Sequence, residues 1–161
     1  MKIRPALIED LPQLHQIYAS ARSFMAKNGN PTQWGTSYPE DNLLREDIAA
    51  NRLYVGEDHN GVPHFAFVVA FGEDPSYGKI DGAWLNNEPY VTIHKVAGDG
   101  VMKGVFAAVV DFTEEKCSNI RIDTHADNKN MQRLILENCF SYCGVITFLD
   151  GTPRLAYQRK G

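Results

Sequence analysis

The run His64-Phe65-Ala66-Phe67-Val68-Val69-Ala70-Phe71 is apolar at almost every position. A strand with one face in water alternates apolar and polar residues, so an unbroken apolar strand is one covered on both faces. Such a strand belongs at the centre of a sheet, with packed layers above and below. Just upstream, Asn60-Gly61 signals a tight hairpin whose partner strand is Leu53-Tyr54-Val55. A fold for this chain therefore has to place an antiparallel hairpin inside a two-sided sheet. With 161 residues the chain can bury roughly two-thirds of its unfolded surface, which predicts one domain over 1–161 without staples.

The elements around the hairpin follow from periodicity and breakers. Ile3 to Leu7 reads as an opening strand. Asp10 and Pro12 mark a helix start, and Leu14, Ile17, Ala21, Phe24 and Met25 recur at helical spacing up to Asn28-Gly29-Asn30-Pro31. A loop with Trp34 and Tyr38 leads to a short helix through Leu43, Leu44 and Ile48. Asp81 to Leu85 is irregular or an edge strand, and Tyr90 to Ala97 is a further strand. A helix then runs to about Lys116, Asn119–Thr124 is a strand, and Asp127 or Asn128 caps a helix through Met131, Leu134 and Ile135. Cys143–Phe148 and Leu155–Gln158 close the chain as strands. The order predicts an α/β (α+β) fold, a mixed central sheet of about seven strands flanked by about four helices.

Composition excludes several classes of partner. Charged residues make up 22% and hydrophobic ones 43%, the balance of an ordinary folded protein. A net charge of -4 and the lack of any dense Lys/Arg run argue against nucleic acid. No apolar run approaches the ~20 residues of a membrane span, so no membrane partner is expected. Met1-Lys2-Ile3-Arg4-Pro5 lacks the pattern of a secretion signal, which makes a cytoplasmic location the expectation. Cys117, Cys139 and Cys143 include no C-x-x-C pair and no clustered His, so they read as reduced thiols and not as a metal site.

The sharpest local feature is the turn Gly98-Asp99-Gly100-Val101-Met102-Lys103-Gly104 between a strand and a helix. A helix N-terminus offers unpaired amides and a positive dipole end, and glycines let an anion approach the backbone. Gly98-x-Gly100-x-x-x-Gly104, with Asp123 after it, is a relaxed version of a dinucleotide or S-adenosylmethionine fingerprint. In a doubly wound fold, however, that loop follows the first strand. Here an antiparallel hairpin precedes it, and only 57 of the 161 residues follow Gly104. The P-loop pattern is absent.

The element order as a whole resembles the GNAT N-acetyltransferase superfamily over nearly the entire chain. Ile3-Arg4-Pro5-Ala6 through Asp10-Leu11-Pro12 looks like the family's first strand and helix. Thr92-Ile93-His94-Lys95-Val96-Ala97 is similar to its fourth strand, which precedes the pyrophosphate loop. Arg121 to Leu134 resembles the fifth strand and the helix after it, opened by Asn128. This segment looks like that of a bacterial subgroup. The family's loop reads Q/R-x-x-G-x-G/A; with Gly104 as its first glycine, Val101 and Phe106 stand at the outer positions, and Phe106 would crowd a place that is usually small.

The resemblance implies direct transfer of an acetyl group from acetyl-CoA to a primary amine of a small molecule or protein. It implies a cofactor site at Val96, Ala97, Gly98, Val101, Met102, Lys103, Gly104, Val105, Phe106 and Asn128. The Tyr that serves many members as general acid falls on Ile135, which leaves His94 and Tyr142 as candidate proton carriers. Trp34, Tyr38, Asp81 and Trp84 are candidates for the acceptor pocket, with Glu88 a further carboxylate and Tyr90 a further aromatic. The partner is then a small-molecule or peptide amine, and a homodimer is possible because many relatives pair. The alternative is a GNAT-fold sensing domain that kept the cofactor and lost catalysis; a nucleotide or S-adenosylmethionine site ranks behind both.

Overall fold

The computed structural model describes residues 1–161. Its strands are β1 (Lys2–Pro5), β2 (Leu53–Glu57), β3 (Pro63–Phe71), β4 (Asp81–Gly82), β5 (Val91–Gly98), β6 (Ile120–Thr124), β7 (Ser141–Thr147) and β8 (Pro153–Arg159). The helices are α1 (Leu11–Lys27), α2 (Asp41–Ala49), α3 (Val105–Lys116) and α4 (Lys129–Glu137). All eight strands form one mixed sheet in the order β1-β2-β3-β5-β6-β8-β7-β4. The strand beyond the seven expected is the two-residue β4, too short for a periodicity signal. Only β5 and β6 run parallel.

The β2–β3 hairpin forms at Asn60-Gly61, where Asp58 Oδ1 accepts the amides of Asn60 and Val62 at 2.8 and 3.1 Å. From Phe65 to Val69, β3 is buried throughout. Phe65, Phe67 and Val69 face a core shared with Phe106, Val109 and Val110 of α3 and Ile135 of α4. Ala66 and Val68 face the opposite core, closed by Leu14, Ile17 and Tyr18 of α1 and Leu44 of α2. Two helical layers thus cover the central strand. Over the β6-β8-β7 half, the face shared with α1 is covered by residues 72–90, which bury Tyr77 and Tyr90 against Ile146 and Ala156.

One local expectation needs correction. Asp10 makes no capping bond at α1; its carboxylate takes the Leu7 amide at 2.7 Å and the Arg4 guanidinium at 2.8 Å. The guanidinium of Arg4, on β1 six residues upstream, competes for the oxygen that a cap would use. Pro12 in the first turn still permits the helix to begin there.

Two irregularities in the sheet set up the site. Ala66 pairs with Ala97 but Val68 pairs with His94, so Lys95 and Val96 together oppose Phe67. This bulge carries Lys95 at φ 53. Because side chains alternate with a period of two, the extra residue reverses the strand's facing: Ile93 packs toward α3, whereas Ala97 packs toward α1. Tyr18 donates its hydroxyl to the Lys95 carbonyl at 2.7 Å, and Lys95 Nζ reaches Asp47 of α2 at 2.7 Å.

The second irregularity is a parting of strands. β5 and β6 are in register only at Val91↔Ile120 and Thr92↔Arg121. Beyond Thr92, β5 pairs with β3 alone, and beyond Arg121, β6 pairs with β8 alone. A wedge therefore opens in the middle of the sheet.

Candidate active site

Two cavities meet at this wedge. A cleft of about 390 Å³ lies on the α1 side, over His94, Asp123 and Arg154, with Trp34, Tyr38 and Phe148 as walls. A groove of about 270 Å³ runs between the end of β5, the glycine turn and the first turns of α3 and α4. Met25, Val96, Asn128 and Met131 line both, so the two are adjoining parts of one passage.

The groove is built from backbone. Gly104 caps α3 at φ 67, a left-handed conformation that glycine adopts without penalty. The amides from Met102 to Ala107 have no acceptor within the chain. They gather at the positive end of α3, the arrangement that suits a phosphate. The turn itself is pinned at its start: the Asp99 amide donates to the His64 carbonyl at 3.0 Å, and the His64 ring meets Asp99 and Asp58 at 2.7 and 2.9 Å.

Phe106 lines this groove at the first turn of α3. Its ring is buried and packs against Phe140 at 6.3 Å between centroids, because the second residue of α3 points into the helical core. Val96, Ala97, Gly98, Met102 and Val105 line the groove with Asn128. Lys103 and Val101 lie beside it in the turn, both exposed. Asn128 is buried; its Oδ1 caps α4 by accepting the Met131 amide at 3.0 Å, and its Nδ2 donates to Gln33 at 3.1 Å. That second bond ties α4 to the loop bearing Trp34.

The cleft is built from side chains. His94 Nε2 lies 3.1 Å from Asp74 Oδ2. Burial acts to raise the Asp74 carboxyl, but His94 and the Ser76 amide outweigh it and hold the group below the ordinary carboxylate value. Asp123 accepts the Tyr77 hydroxyl on Oδ2 at 2.6 Å. Burial pushes Asp123 up, against the pull of that hydrogen bond and of His94 and Arg154. Burial, with Asp47 nearby, pushes the Tyr38 phenol up to about 12. Trp34 packs on Tyr18 and Tyr38 with centroids 5.7 and 6.1 Å away, which fixes the aromatic wall to α1.

Three further candidates lie elsewhere. Tyr142 is exposed on β7 with its ring edge on Tyr157, and it lines neither cavity. Asp81 is exposed on the edge strand β4. Trp84 stacks over Arg121 at 4.0 Å in a third cavity of about 710 Å³, beside Glu88 and Tyr90. The sequence offered Asp81 as a carboxylate for a cationic amine and Trp84 as a loop aromatic for the acceptor pocket, but residues 72–90 fold back over β6 and β8. The carboxylates that reach the cleft from these elements are Asp74, through His94, and Asp123. Ile135, where an acid was sought, is fully buried in the core.

Asp74, Tyr77, Gln33 and Arg154 escaped the sequence reading. The first two sit in a stretch with no periodicity to orient them. Arg154 did carry a signal: on β8 it shares the period-two face of buried Ala156.

Neither a family model nor a curated protein matches the sequence. Solved structures do. An acetyltransferase of the GNAT family from Streptococcus agalactiae 2603 is 31% identical, with a TM-score of 0.86 over 99% of this chain and 95% of that one. A GNAT-family acetyltransferase from Listeria monocytogenes 4b F2365 is 16% identical, with a TM-score of 0.73 over 99% of this chain and 94% of that one. A GNAT-superfamily phosphinothricin acetyltransferase from Sinorhizobium meliloti, solved in complex with AcCoA, is 14% identical with a TM-score of 0.65 over 98% of this chain and 86% of that one. The last two likenesses concern the fold.

Proposed function

Because this chain belongs to the GNAT acetyltransferase family, we propose that it transfers the acetyl group of acetyl-CoA to a primary amine held in the cleft over His94 and Asp123. The observation that carries this reading is the junction of cleft and groove at the β5–β6 wedge. A donor along the groove and an amine in the cleft would meet there, and holding both in line makes the attack effectively unimolecular.

The groove fits acetyl-CoA on its own features. Unpartnered amides from Met102 to Ala107 suit the pyrophosphate, with Lys103 at the mouth as a further positive charge. The apolar side chains of Val96, Met102, Val105, Met131 and Leu134 suit the uncharged arm. When bound, acetyl-CoA supplies an activated acyl group as a thioester. An amide of the Val96–Gly98 segment, turned by the bulge at Lys95, would polarise the thioester carbonyl.

Asp123 would first hold the acceptor as its ammonium. With Nε2–H donating to Asp74, the His94 ring carries its lone pair on Nδ1 and would first take one proton from the ammonium, which frees the nitrogen lone pair for attack; the second N–H proton then leaves to solvent. No residue at the junction of the cavities is an acid, so the departing sulfur would take its proton from solvent. Tyr142, exposed on β7, has no part in this scheme.

Melting with and without acetyl-CoA tests the donor site. A ligand at 100 times its dissociation constant adds about 2.7 kcal/mol, a shift that is easily read. Thiol release with a panel of primary amines then tests turnover. Ile135, buried where many relatives carry an acid, favours the rival reading of a sensing domain. That reading expects the melting shift and no thiol release with any amine.

A further inference from the structure

Arg154 is a buried guanidinium without a hydrogen-bond acceptor, its one ionic partner being the neighbouring Asp123. Its side chain is 8% exposed, yet none of its nitrogens donates a hydrogen bond within the chain, and Nε is sealed from solvent without a partner. The nearest carboxylate oxygen, Asp123 Oδ1, lies 3.7 Å from Nη1, beyond hydrogen-bond reach. Phe148 supports the cation from one side at 4.7 Å. A guanidinium has five donors in a rigid fork and stays charged, so burying it with no acceptor is costly unless a ligand completes it. The chain's other buried arginine, Arg121, also leaves Nε without a partner, but it lies between Trp84 and Tyr90 at 4.0 and 3.9 Å and donates Nη2 to the Asn86 carbonyl at 2.9 Å.

Arg154 lines the same cleft as His94 and Asp123. On the sheet, β5, β6 and β8 are successive strands, so the three side chains form a row across the wedge. Asp123 spends Oδ2 on Tyr77 and keeps Oδ1 free on the side of Arg154. A cation site and an anion site therefore stand side by side. We propose that the acceptor is an α-amino acid with an apolar side chain, its carboxylate on the Arg154 fork, its ammonium on Asp123, and its side chain against Trp34, Tyr38 and Phe148. In an α-amino acid a single carbon separates the two charged groups, which matches the short distance between Asp123 and Arg154. A bidentate carboxylate would satisfy the fork with directed, charge-assisted bonds. The reaction is then N-acetylation: His94 takes one ammonium proton, the freed amine nitrogen bonds the acetyl carbon, the bond from that carbon to sulfur breaks, the second N–H proton leaves to solvent, and the CoA thiolate is protonated from solvent.

This inference rests on the acetyl-transfer reading, and matched acceptors test it. Phenylalanine, methionine and leucine are compared with 2-phenylethylamine, 3-(methylthio)propylamine and isopentylamine, which differ by the carboxylate alone. The expected result is a kcat/KM at least tenfold higher for each acid than for its amine, about what losing one bidentate charged contact predicts. Arg154→Gln should bring the ratio toward one, and Arg154→Lys, which keeps the charge without the fork, should fall between. Calorimetric titration of the same compounds into protein saturated with CoA reads the preference without turnover, and melting checks that each variant folds. Amines used as well as acids, an unchanged ratio in Arg154→Gln, or no binding by any of the three acids would each overturn the proposal while leaving the donor site standing. Failure of acetyl-CoA to shift the melting of the unaltered protein would instead overturn the acetyl-transfer reading.

Discussion

Tyr18 donates its hydroxyl to the carbonyl of Lys95 across 2.7 Å, joining the middle of α1 to the bulge in β5. Tyr18 is fully buried, so Tyr18→Phe leaves that carbonyl without its partner. Stability should fall by about 1–3 kcal/mol, the cost of an unsatisfied buried acceptor. If the bulge also aims the amides near the thioester, kcat should fall while the melting shift with acetyl-CoA persists. Denaturant unfolding and steady-state kinetics on the same variant read both effects.

Gly104 closes the turn in a left-handed conformation, and a methyl group there would meet nothing within 4 Å. The penalty of Gly104→Ala is therefore conformational and should be about 1 kcal/mol, roughly 2–4 °C in Tm for a chain this size. Relief of the strain would re-aim the amides that follow. The variant should show a smaller stabilisation by acetyl-CoA than the parent, and an undiminished one would argue that the phosphate lies elsewhere.

His64 joins the glycine turn to the β2–β3 hairpin. Asp99 and then Asp58 hold its imidazole above the ordinary value, and His64 in turn keeps Asp58 down at about 2. A base raised on folding contributes stability that is complete below its unfolded value of ~6.5 and is lost as pH climbs through the folded one. Tm should therefore decline from about pH 6.5 upward more steeply in the parent than in His64→Gln. Parallel curves for the two proteins would sink the idea.

His94→Gln should lower kcat by at least about a hundredfold, the lower end of what a positioned base contributes. Its melting shift with acetyl-CoA should be retained, because the imidazole lines the cleft and not the groove. Asp74→Ala should give a smaller loss of kcat, since it removes the partner that orients the ring 3.1 Å away. A His94 variant with unchanged kcat would move the role of base to another group.

Much of this architecture could be read before the structure, and the limits are physical. The unbroken apolar run of β3 and the Asn60-Gly61 turn fixed the centre of the sheet, because burial on two faces leaves a pattern in the chain itself. Asn128 could be read as a cap, since its preference is local. The bulge at Lys95 could not: a left-handed lysine has no local signal, and the feature is held by Tyr18 and Asp47, 77 and 48 residues away. Residues 72–90 escaped for a similar reason. Their course over β6 and β8 depends on Tyr77 finding Asp123, a contact 46 residues distant. The packing of Phe106 on Phe140 was equally illegible, because a loop motif says which residue stands at a position and nothing of which way α3 turns it.

The parting of β5 and β6 gives this sheet an edge in its interior. Ordinary edges invite any extended chain to pair with them. This one is walled by α1 on one face and by α3 and α4 on the other, so only a slender extended arm can enter. The groups it presents along β5 and β6 are main-chain ones that every residue possesses. Drift in the lining side chains should leave it intact, whereas a proline or an inserted residue near Lys95 should close it.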